Sequence, residues 1–190
     1  MRPRSDEKRK AILDAALAVF AERGFWSTPT SEISKVAGVA EGTLFTYFKT
    51  KGILMNELYW ELKKDFSKVV LTGFPTDGDV RRRLQHIWNS YVRWGVSNPD
   101  KIKVLAQLRH SEKITDESMM IGNEPFVEVE KLRQECFEKR LMREYPSSFI
   151  EAIMVSLAET TIGFILKDRD SKEDYCEEGF EAFWSSVMRA

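Results

Sequence analysis

Residues 41–51 bring together side chains that can recognise another molecule through hydrogen bonds, charge and aromatic contact. If this stretch is helical, Leu44 and Phe48 form its buried side, because they lie four residues apart. The residues left on its ends and outer side are Glu41, Gly42, Thr43, Phe45, Thr46 and Tyr47. Lys51 then opens a further helix, where its charge and the nearby free N–H groups can meet a phosphate.

Two short helices must position this surface, and the segment Ala37-Gly38-Val39 joins them. Thr30 or Ser31 can cap the first helix, and Gly38 supplies the positive φ that a sharp helix stop needs. The residues of the first helix that should face inward are Ile33, Val36 and Ala37. This pattern is typical of a helix-turn-helix, which places its second helix in the major groove of DNA.

The same residues resemble the TetR/AcrR family of dimeric transcriptional repressors, whose pattern looks like T-x-x-I-A-x-x-A-G-V-S-x-G-T-L-Y-x-Y-F-x-x-K-x-x-L. The positions that fit are Thr30, Ile33, Ala37, Gly38, Val39, Gly42, Thr43, Leu44, Tyr47, Phe48, Lys51 and Leu54. Upstream, the helix that ends before Gly24 and Phe25 is similar to the family's first helix. The resemblance therefore implies a DNA-binding domain at the N-terminus.

The resemblance also implies which residues contact DNA. They are Thr30, Glu41, Gly42, Thr43, Phe45, Thr46, Tyr47 and Lys51. The hydroxyl groups and Lys51 would hold phosphates, Gly42 would let the backbone approach closely, and Glu41 and Phe45 would touch bases. Arg2 and Arg4 would add an electrostatic arm.

Four residues depart from the family pattern. Ala40 stands where the family has a capping Ser, a change that costs about 0.5–2 kcal/mol of helix stability. Phe45 lacks the hydroxyl of the usual Tyr, and Ser34 replaces a common Ala. Glu41 repels phosphates but can accept a hydrogen bond from cytosine N4. These departures affect base specificity rather than the way the domain docks.

Charge is distributed unevenly along the chain. The net charge is −1, yet residues 1–52 carry nine Lys/Arg against six Asp/Glu, a net charge of +3. This asymmetry favours a basic DNA-binding end, although simple solvation explains it as well. The sequence shows no signal-peptide core and no run of 18 apolar residues, and Cys136 and Cys176 suggest no disulfide framework. We expect a cytoplasmic protein without a membrane span.

The rest of the chain favours an all-α fold: an N-terminal three-helix helix-turn-helix DNA-binding domain plus a C-terminal helical bundle for ligand binding and dimerisation. The periodicity predicts helices over 5–23, 51–71, 79–96, 99–111, 124–144, 148–166 and 171–188, and it leaves 115–123 unassigned. We predict a DNA-binding domain over residues 1–52 and a ligand-binding and dimerisation domain over residues 53–190.

Large apolar side chains crowd one face of residues 79–96. One interpretation is ordinary core packing; the other is an apolar pocket for an effector, which the family resemblance favours. The predicted ligand-binding residues are Trp88, Tyr91, Trp94, Phe126 and Phe164. Trp and Tyr would orient the ligand through their polar atoms.

The last two helices are apolar on more than one face, which indicates either burial within one subunit or contact with a second copy. The predicted dimer-interface residues are Ile153, Leu157, Phe164, Phe180, Phe183 and Trp184. No catalytic, phosphate-loop or metal motif is present, so we expect no enzyme, no cofactor and no metal.

The sequence thus predicts a homodimeric, ligand-responsive repressor that binds a palindromic DNA operator and is released by a small, mostly apolar effector. Two alternatives stay open: a helical small-molecule-binding protein whose DNA-reading function is lost, and an all-α enzyme that uses the aromatic residues as a pocket.

Overall fold

The computed structural model of the chain describes residues 5–168 and 174–189. Within these ranges the all-α prediction is confirmed. The helices are α1 (Asp6–Arg23), α2 (Thr30–Val36), α3 (Glu41–Tyr47), α4 (Lys51–Leu71), α5 (Val80–Ser97), α6 (Pro99–Arg109), α7 (Asp116–Asn123), α8 (Val127–Glu138), α9 (Ser147–Lys167) and α10 (Tyr175–Val187). A 3₁₀ turn, Glu124–Phe126, precedes α8. The predicted arm residues Arg2 and Arg4, and the predicted start of the last helix at Ser171, lie outside the described residues.

The helices form two compact units. The first contains the chain up to Asp65 together with Pro99–Glu124, and the second contains Phe66–Asn98 together with Pro125 onwards. The predicted functional boundary between residues 52 and 53 stays a prediction, since packing alone does not assign DNA binding or dimerisation to a segment.

In the first unit, α1 supplies the central apolar stripe. Ile12, Ala16 and Phe20 are fully buried on it, as are Ile33 of α2 and Leu44 of α3. On the polar side of α1, Arg9 pairs with both Glu57 and Glu61 of α4. Helix α2 packs on α1 and α3 packs on α2, which matters because isolated helices of seven residues are marginal in water.

The segment between α6 and α7 is tied to α4 by one asparagine. The Asn56 amide nitrogen donates to the carbonyl oxygen of Lys113 at 2.8 Å, and its oxygen accepts from the Thr115 backbone N–H at 3.1 Å. Lys113 is thereby held in the first unit.

In the second unit, α5 packs against α8, α9 and α10. Trp88 of α5 is fully buried; its ring stacks on Phe183 with centroids 5.8 Å apart, and its indole N–H donates to the Cys176 carbonyl at 2.8 Å. Gly179 of α10 sits against the same ring, because a Cβ there would lie 2.7 Å from Cζ2 of Trp88. The absence of a side chain at residue 179 therefore sets the close approach of α10 to α5.

The predicted helix over 124–144 is wrong at both ends. Helix α8 stops at Glu138, and Arg140 adopts a positive φ of 52° while the Leu141 N–H donates to the Cys136 carbonyl at 2.9 Å. This is a left-handed helix end of the kind usually formed by glycine. Met142 then makes an isolated bridge with Met188 instead of continuing the helix.

Helix α9 is long and largely apolar. It contains Glu151 and Glu159, yet an 18-residue window within it has a mean hydropathy of 1.7, so it is long and apolar enough to cross a membrane by length and composition. Only 28% of that window is buried. Its inner side, which includes Ala158 and Ile162, is buried in the second unit. Length and composition alone do not distinguish such a helix of a folded domain from a membrane-spanning helix.

Candidate nucleic-acid interface

The turn between α2 and α3 is closed by backbone hydrogen bonds. The Val39 N–H donates to the Ser34 carbonyl at 3.0 Å and the Gly38 N–H to the Lys35 carbonyl at 3.2 Å. Gly38 has φ 64°, as predicted for a sharp helix stop. Because this geometry is fixed by main-chain contacts, the direction in which α3 leaves the turn is fixed as well.

Neither short helix has a side-chain cap. The N-cap residues are Pro29 for α2 and Ala40 for α3, so the prediction that Thr30 or Ser31 caps α2 is wrong. The helix begins at Thr30, one residue earlier than a Thr30 cap requires. The Thr30 hydroxyl is therefore free of capping and donates to Glu41 Oε1 at 2.9 Å.

The inner side of the motif is largely as predicted. Ile33, Leu44 and Phe48 are buried, with exposures of 1% or less. Val36 is the exception, since it is 57% exposed, and Ala37 is half-buried. Leu44 and Phe48 hold α3 down by one face and leave the opposite face to solvent.

The outer face of α3 presents four exposed residues, Glu41, Gly42, Phe45 and Thr46, while Thr43 is half-buried. The Thr46 hydroxyl donates to the Gly42 carbonyl at 2.9 Å. Glu41, Gly42, Phe45 and Thr46 therefore share one accessible face of α3, and their contacts with DNA stay a prediction.

Tyr47 is half-buried, and its hydroxyl oxygen accepts the backbone N–H of Ser5 at 2.8 Å. This contact positions the phenol at the start of α1. The hydroxyl proton is left to donate, since the Ser5 bond uses only a lone pair of the oxygen.

Lys51 is engaged inside the protein. Its ammonium group donates to the carbonyl oxygen of Thr28 at 2.5 Å and also to that of Phe25, and burial lowers its pKa. Lys51 therefore ties down the loop that precedes α2, a role that the sequence did not reveal. A phosphate contact through its remaining proton stays a prediction.

A groove of about 730 Å³ runs beside this surface in the first unit. Its lining residues are Trp26, Ser27, Thr28, Pro29, Thr30, Phe45, Lys49, Thr50 and Lys51. Trp26 is 67% exposed, and the Lys113 ammonium lies 5.8 Å from its ring centre. The lining contains lysines, hydroxyls and aromatic rings but no carboxylate, which suits a sugar–phosphate backbone. The sequence analysis did not predict that Trp26, Lys49 and Lys113 lie at or beside this groove. The residue type of the two lysines does indicate exposed positive charge.

In the second unit, the predicted ligand-binding residues are divided between separate places. Tyr91, Trp94 and Phe126 meet around Phe66, with ring centroids 5.1, 5.3 and 5.6 Å from it. The Tyr91 hydroxyl donates to Glu159 at 3.2 Å. Phe66, Tyr91 and Trp94 are buried and Phe126 is half-buried, so the four rings form an aromatic cluster with one polar pair beside it. The ligand-binding role stays a prediction.

Trp88 and Phe164 lie outside that cluster. Trp88 packs on Phe180 and Phe183, and its N–H is already used by the Cys176 carbonyl. Phe164 is 55% exposed and lies 5.7 Å from the Tyr175 ring. The structure therefore does not bring these two residues together with Tyr91, Trp94 and Phe126, and their ligand-binding role stays a prediction.

The predicted dimer-interface residues differ in how far they are buried within the subunit. Phe180 and Phe183 are buried within the subunit, with exposures of 0% and 2%, so in this arrangement they have no surface to offer a second copy. Ile153, Leu157 and Trp184 are half-buried, and Phe164 is exposed. Phe149, which the sequence reasoning did not include, is 51% exposed on the same helix as Phe164.

Among the described residues, no three His, Cys, Asp or Glu side chains are grouped to hold a metal ion. The two cysteines are free, and burial raises the pKa of Cys136 to about 11.

The geometry of α2, the turn and α3 defines a helix-turn-helix. Residues 12–58 match the family described as bacterial regulatory proteins, tetR family. Residues 12–58, which include α2, the turn and α3, therefore resemble the helix-turn-helix of that family.

The chain is also similar to individual proteins, of which one is a curated relative and two are solved structures. The HTH-type transcriptional regulator AcrR of Shigella flexneri is 41% identical over 94 residues, which cover 46% of this chain and 43% of AcrR. The matched segments cover between 26% and 60% of the length of the curated relatives. A putative tetR family transcription regulator from Shewanella sp. PV-4 has a TM-score of 0.85 at 23% identity, covering 98% of this chain and 100% of that one. FadR from Bacillus subtilis, solved in complex with stearoyl-CoA, has a TM-score of 0.66 at 19% identity, covering 92% and 96%. At these identities the two structures show the fold.

Proposed function

We propose that the chain is a homodimeric transcriptional repressor that binds a palindromic operator and is released by a small, mostly apolar effector in the cytoplasm. The observation that carries the proposal is the outer face of α3. Glu41, Gly42, Phe45 and Thr46 are exposed together on a helix that buried Leu44 and Phe48 hold in place. A helix presented in this way fits the major groove.

In this proposal α3 reads bases and its neighbours hold the backbone. Glu41 and Phe45 face base edges, while Thr43 and the Tyr47 hydroxyl contact phosphates. The Thr30 and Thr46 hydroxyls join them once their protons turn away from Glu41 and from the Gly42 carbonyl. Lys49 and Lys51 supply positive charge at the rim of the groove beside α3. Phosphate contacts set the register of the helix, and base contacts give the specificity.

A second copy is proposed to cover the outer side of α9. Phe149, Ile153, Leu157 and Phe164 recur at helical spacing there, and all four keep accessible surface. A self-complementary interface about a two-fold axis would bury them and explain why a helix of this hydropathy is mostly unburied within one subunit. The dimer would then present two copies of α3 to half-sites about 34–36 Å apart.

The effector is proposed to bind in the second unit beside Tyr91, Trp94 and Phe126. Support comes from the aromatic cluster around Phe66 and from the Tyr91–Glu159 pair, which offers one fixed polar contact. Stearoyl-CoA on the structural neighbour FadR is a ligand with a long apolar part. An effector that binds one conformation better than another lowers operator affinity by that difference, typically ~1–3 kcal/mol.

The experiment that tests DNA binding is selection from a randomised duplex library, followed by fluorescence anisotropy on the enriched sequence. Thr46→Glu places a carboxylate on the exposed face of α3 and should abolish binding through repulsion of phosphates. Gln134→Glu adds the same charge at an exposed position of α8 and should leave binding unchanged. Enrichment of a palindrome by the wild type supports the proposal.

The same experiment addresses the alternative of a ligand-binding protein that has lost DNA recognition. The uncapped start of α3 at Ala40 and the carboxylate of Glu41 are the observations in its favour. Wild-type protein that enriches no sequence, yet melts at a higher temperature with an apolar ligand, would replace the repressor proposal with this one.

A further inference from the structure

A second groove, of about 450 Å³, lies within the second unit between the C-terminal end of α4 and the middle of α5. Its lining residues are Lys68, Val69, Thr72, His86, Asn89, Ser90 and Arg93. The aromatic cluster around Phe66 does not line this second groove, and neither does any residue of α2 or α3. Its volume is within the range of small-molecule sites.

The charges of this groove are all of one sign. Lys68 and Arg93 are exposed, and neither is paired with a carboxylate among the described residues. No Asp or Glu lines the groove, although acidic residues outnumber basic ones in the chain. A groove that holds cations without carboxylates favours an anion.

Asn89 has a hydrogen-bond donor left for a ligand, whereas His86 is engaged within the protein. The Oδ1 atom of Asn89 accepts the Cys176 thiol at 3.3 Å, which leaves the amide NH₂ of Asn89 to donate elsewhere. His86 Nε2 lies 2.8 Å from the Val70 carbonyl, so Nε2 carries the proton and the ring is held in one orientation. The Ser90 hydroxyl, on the next residue after Asn89, lies on the buried wall of the groove.

We infer that this groove binds the anionic group of a small molecule, a carboxylate or a phosphate monoester, with Arg93 and Lys68 as the charged contacts and Asn89 as a neutral donor. Val69, which is 38% exposed, and the aliphatic parts of Lys68 and Arg93 give the groove an apolar side for the rest of the ligand. That the ligand acts as an effector rests on the proposed function; that it binds does not.

Isothermal titration calorimetry of the full chain at constant ionic strength tests the inference, with decyl phosphate, decanoate and inorganic phosphate as probes. Arg93→Gln and Lys68→Gln should each weaken binding of the best probe about tenfold or more, because each removes a charge-assisted hydrogen bond. Arg82→Gln removes an exposed cation of α5 that does not line the groove, and it should change nothing. Tighter binding of decyl phosphate or of decanoate identifies the anionic group.

Asn89→Asp gives a second test that does not depend on removing bulk. The substitution keeps an oxygen to accept the Cys176 thiol but replaces the donor with a negative charge, so binding should be lost while the melting temperature is retained. The inference is overturned if no probe binds the wild type, or if the groove variants bind as tightly as Arg82→Gln. Operator affinity without a probe is measured separately, so a failure of DNA binding is distinguishable from a failure of this site.

Discussion

The hydroxyl of Thr30 donates a 2.9 Å hydrogen bond to Oε1 of Glu41 and so joins the first turn of α2 to the first turn of α3. This bond leaves the second carboxylate oxygen of Glu41 available. It also restricts the side chain at the start of the helix that is proposed to read bases, because one of its oxygens has a fixed partner.

Glu41→Ala is expected to relax base preference at one symmetric pair of operator positions, since a good base contact contributes roughly 1–3 kcal/mol of discrimination. Thr30→Val keeps the Glu41 carboxylate but removes its hydrogen-bond partner. It should therefore relax base preference at the same operator positions to a smaller extent. Selection from randomised DNA with the three proteins measures both effects. Identical sequence preferences for all three would show that Glu41 is a solvent-facing acid.

Lys49 and Lys51 should behave differently when replaced by Ala. Lys49 is exposed, so Lys49→Ala should reduce the slope of log affinity against log salt concentration by about one and leave the melting temperature unchanged. Lys51→Ala removes the donor to the Thr28 and Phe25 carbonyls and should lower the melting temperature as well. Binding isotherms at several salt concentrations and thermal melts provide the two readouts. Equal stability of the two variants would contradict the loop-anchoring role of Lys51.

The two aromatic residues Phe164 and Phe183 are expected to give opposite results when replaced by Asp. Phe164 is exposed on α9, so Phe164→Asp should give folded monomers if a second copy covers that face. Phe183→Asp should unfold the subunit, because it buries an unpaired charge against Trp88 at a cost of several kcal/mol. Sedimentation velocity and circular dichroism distinguish these states. Val127→Asp, at a residue of α8 that is 55% exposed, is the control; a stable Phe164→Asp dimer would place the interface elsewhere.

Gly179→Ala should destabilise the second unit by about 1–3 kcal/mol, because the added methyl group meets the Thr161 hydroxyl oxygen and lies 2.7 Å from Trp88 Cζ2. Gly52→Ala, where the nearest atom is Thr50 Oγ1 at 3.7 Å, should be neutral or stabilising. Urea unfolding of the two variants measures the difference. A Gly179→Ala protein as stable as the wild type would mean that α10 moves aside without cost.

The stability of the protein should fall as the pH rises from 9 to 11, in part because of Cys136. Burial raises the pKa of this thiol from its ordinary value of 9.0 to about 11 in the folded state. The unfolded chain therefore releases the proton first, and the free energy of unfolding drops by on the order of 2 kcal/mol over this range. Urea unfolding at pH 8 and above pH 10 should show a smaller drop for Cys136→Ala. An identical drop in both proteins would exclude the contribution of this thiol.

The elements that carry strong local signals could be predicted from the sequence. Helix α4 has the bounds that its periodicity predicts, Lys51–Leu71, and the positive φ of Gly38 follows from its residue type. The end of α8 could not be predicted, because Arg140 adopts a left-handed conformation without glycine or asparagine to signal it.

The candidate site was only partly predictable, because some of its contacts join residues that are far apart in the sequence. The exposed face of α3 follows from the spacing of Leu44 and Phe48, but the bond from Lys51 to the Phe25 carbonyl joins residues 26 positions apart and depends on tertiary packing. The inner positions of Phe180 and Phe183 depend on which side of α10 meets Trp88. Periodicity identifies an apolar side but does not say whether its partner is the same subunit or a second one.

The exposure of Trp26 has a practical consequence for spectroscopy. Of the tryptophan side chains, Trp26 is 67% exposed beside α3, whereas Trp88 and Trp94 are 0% and 4% exposed. A water-soluble quencher should therefore act first on the indole at the proposed DNA-facing surface, and protection of that indole on adding duplex would follow occupancy without an added dye. Trp26 is therefore an intrinsic fluorescent reporter at that surface.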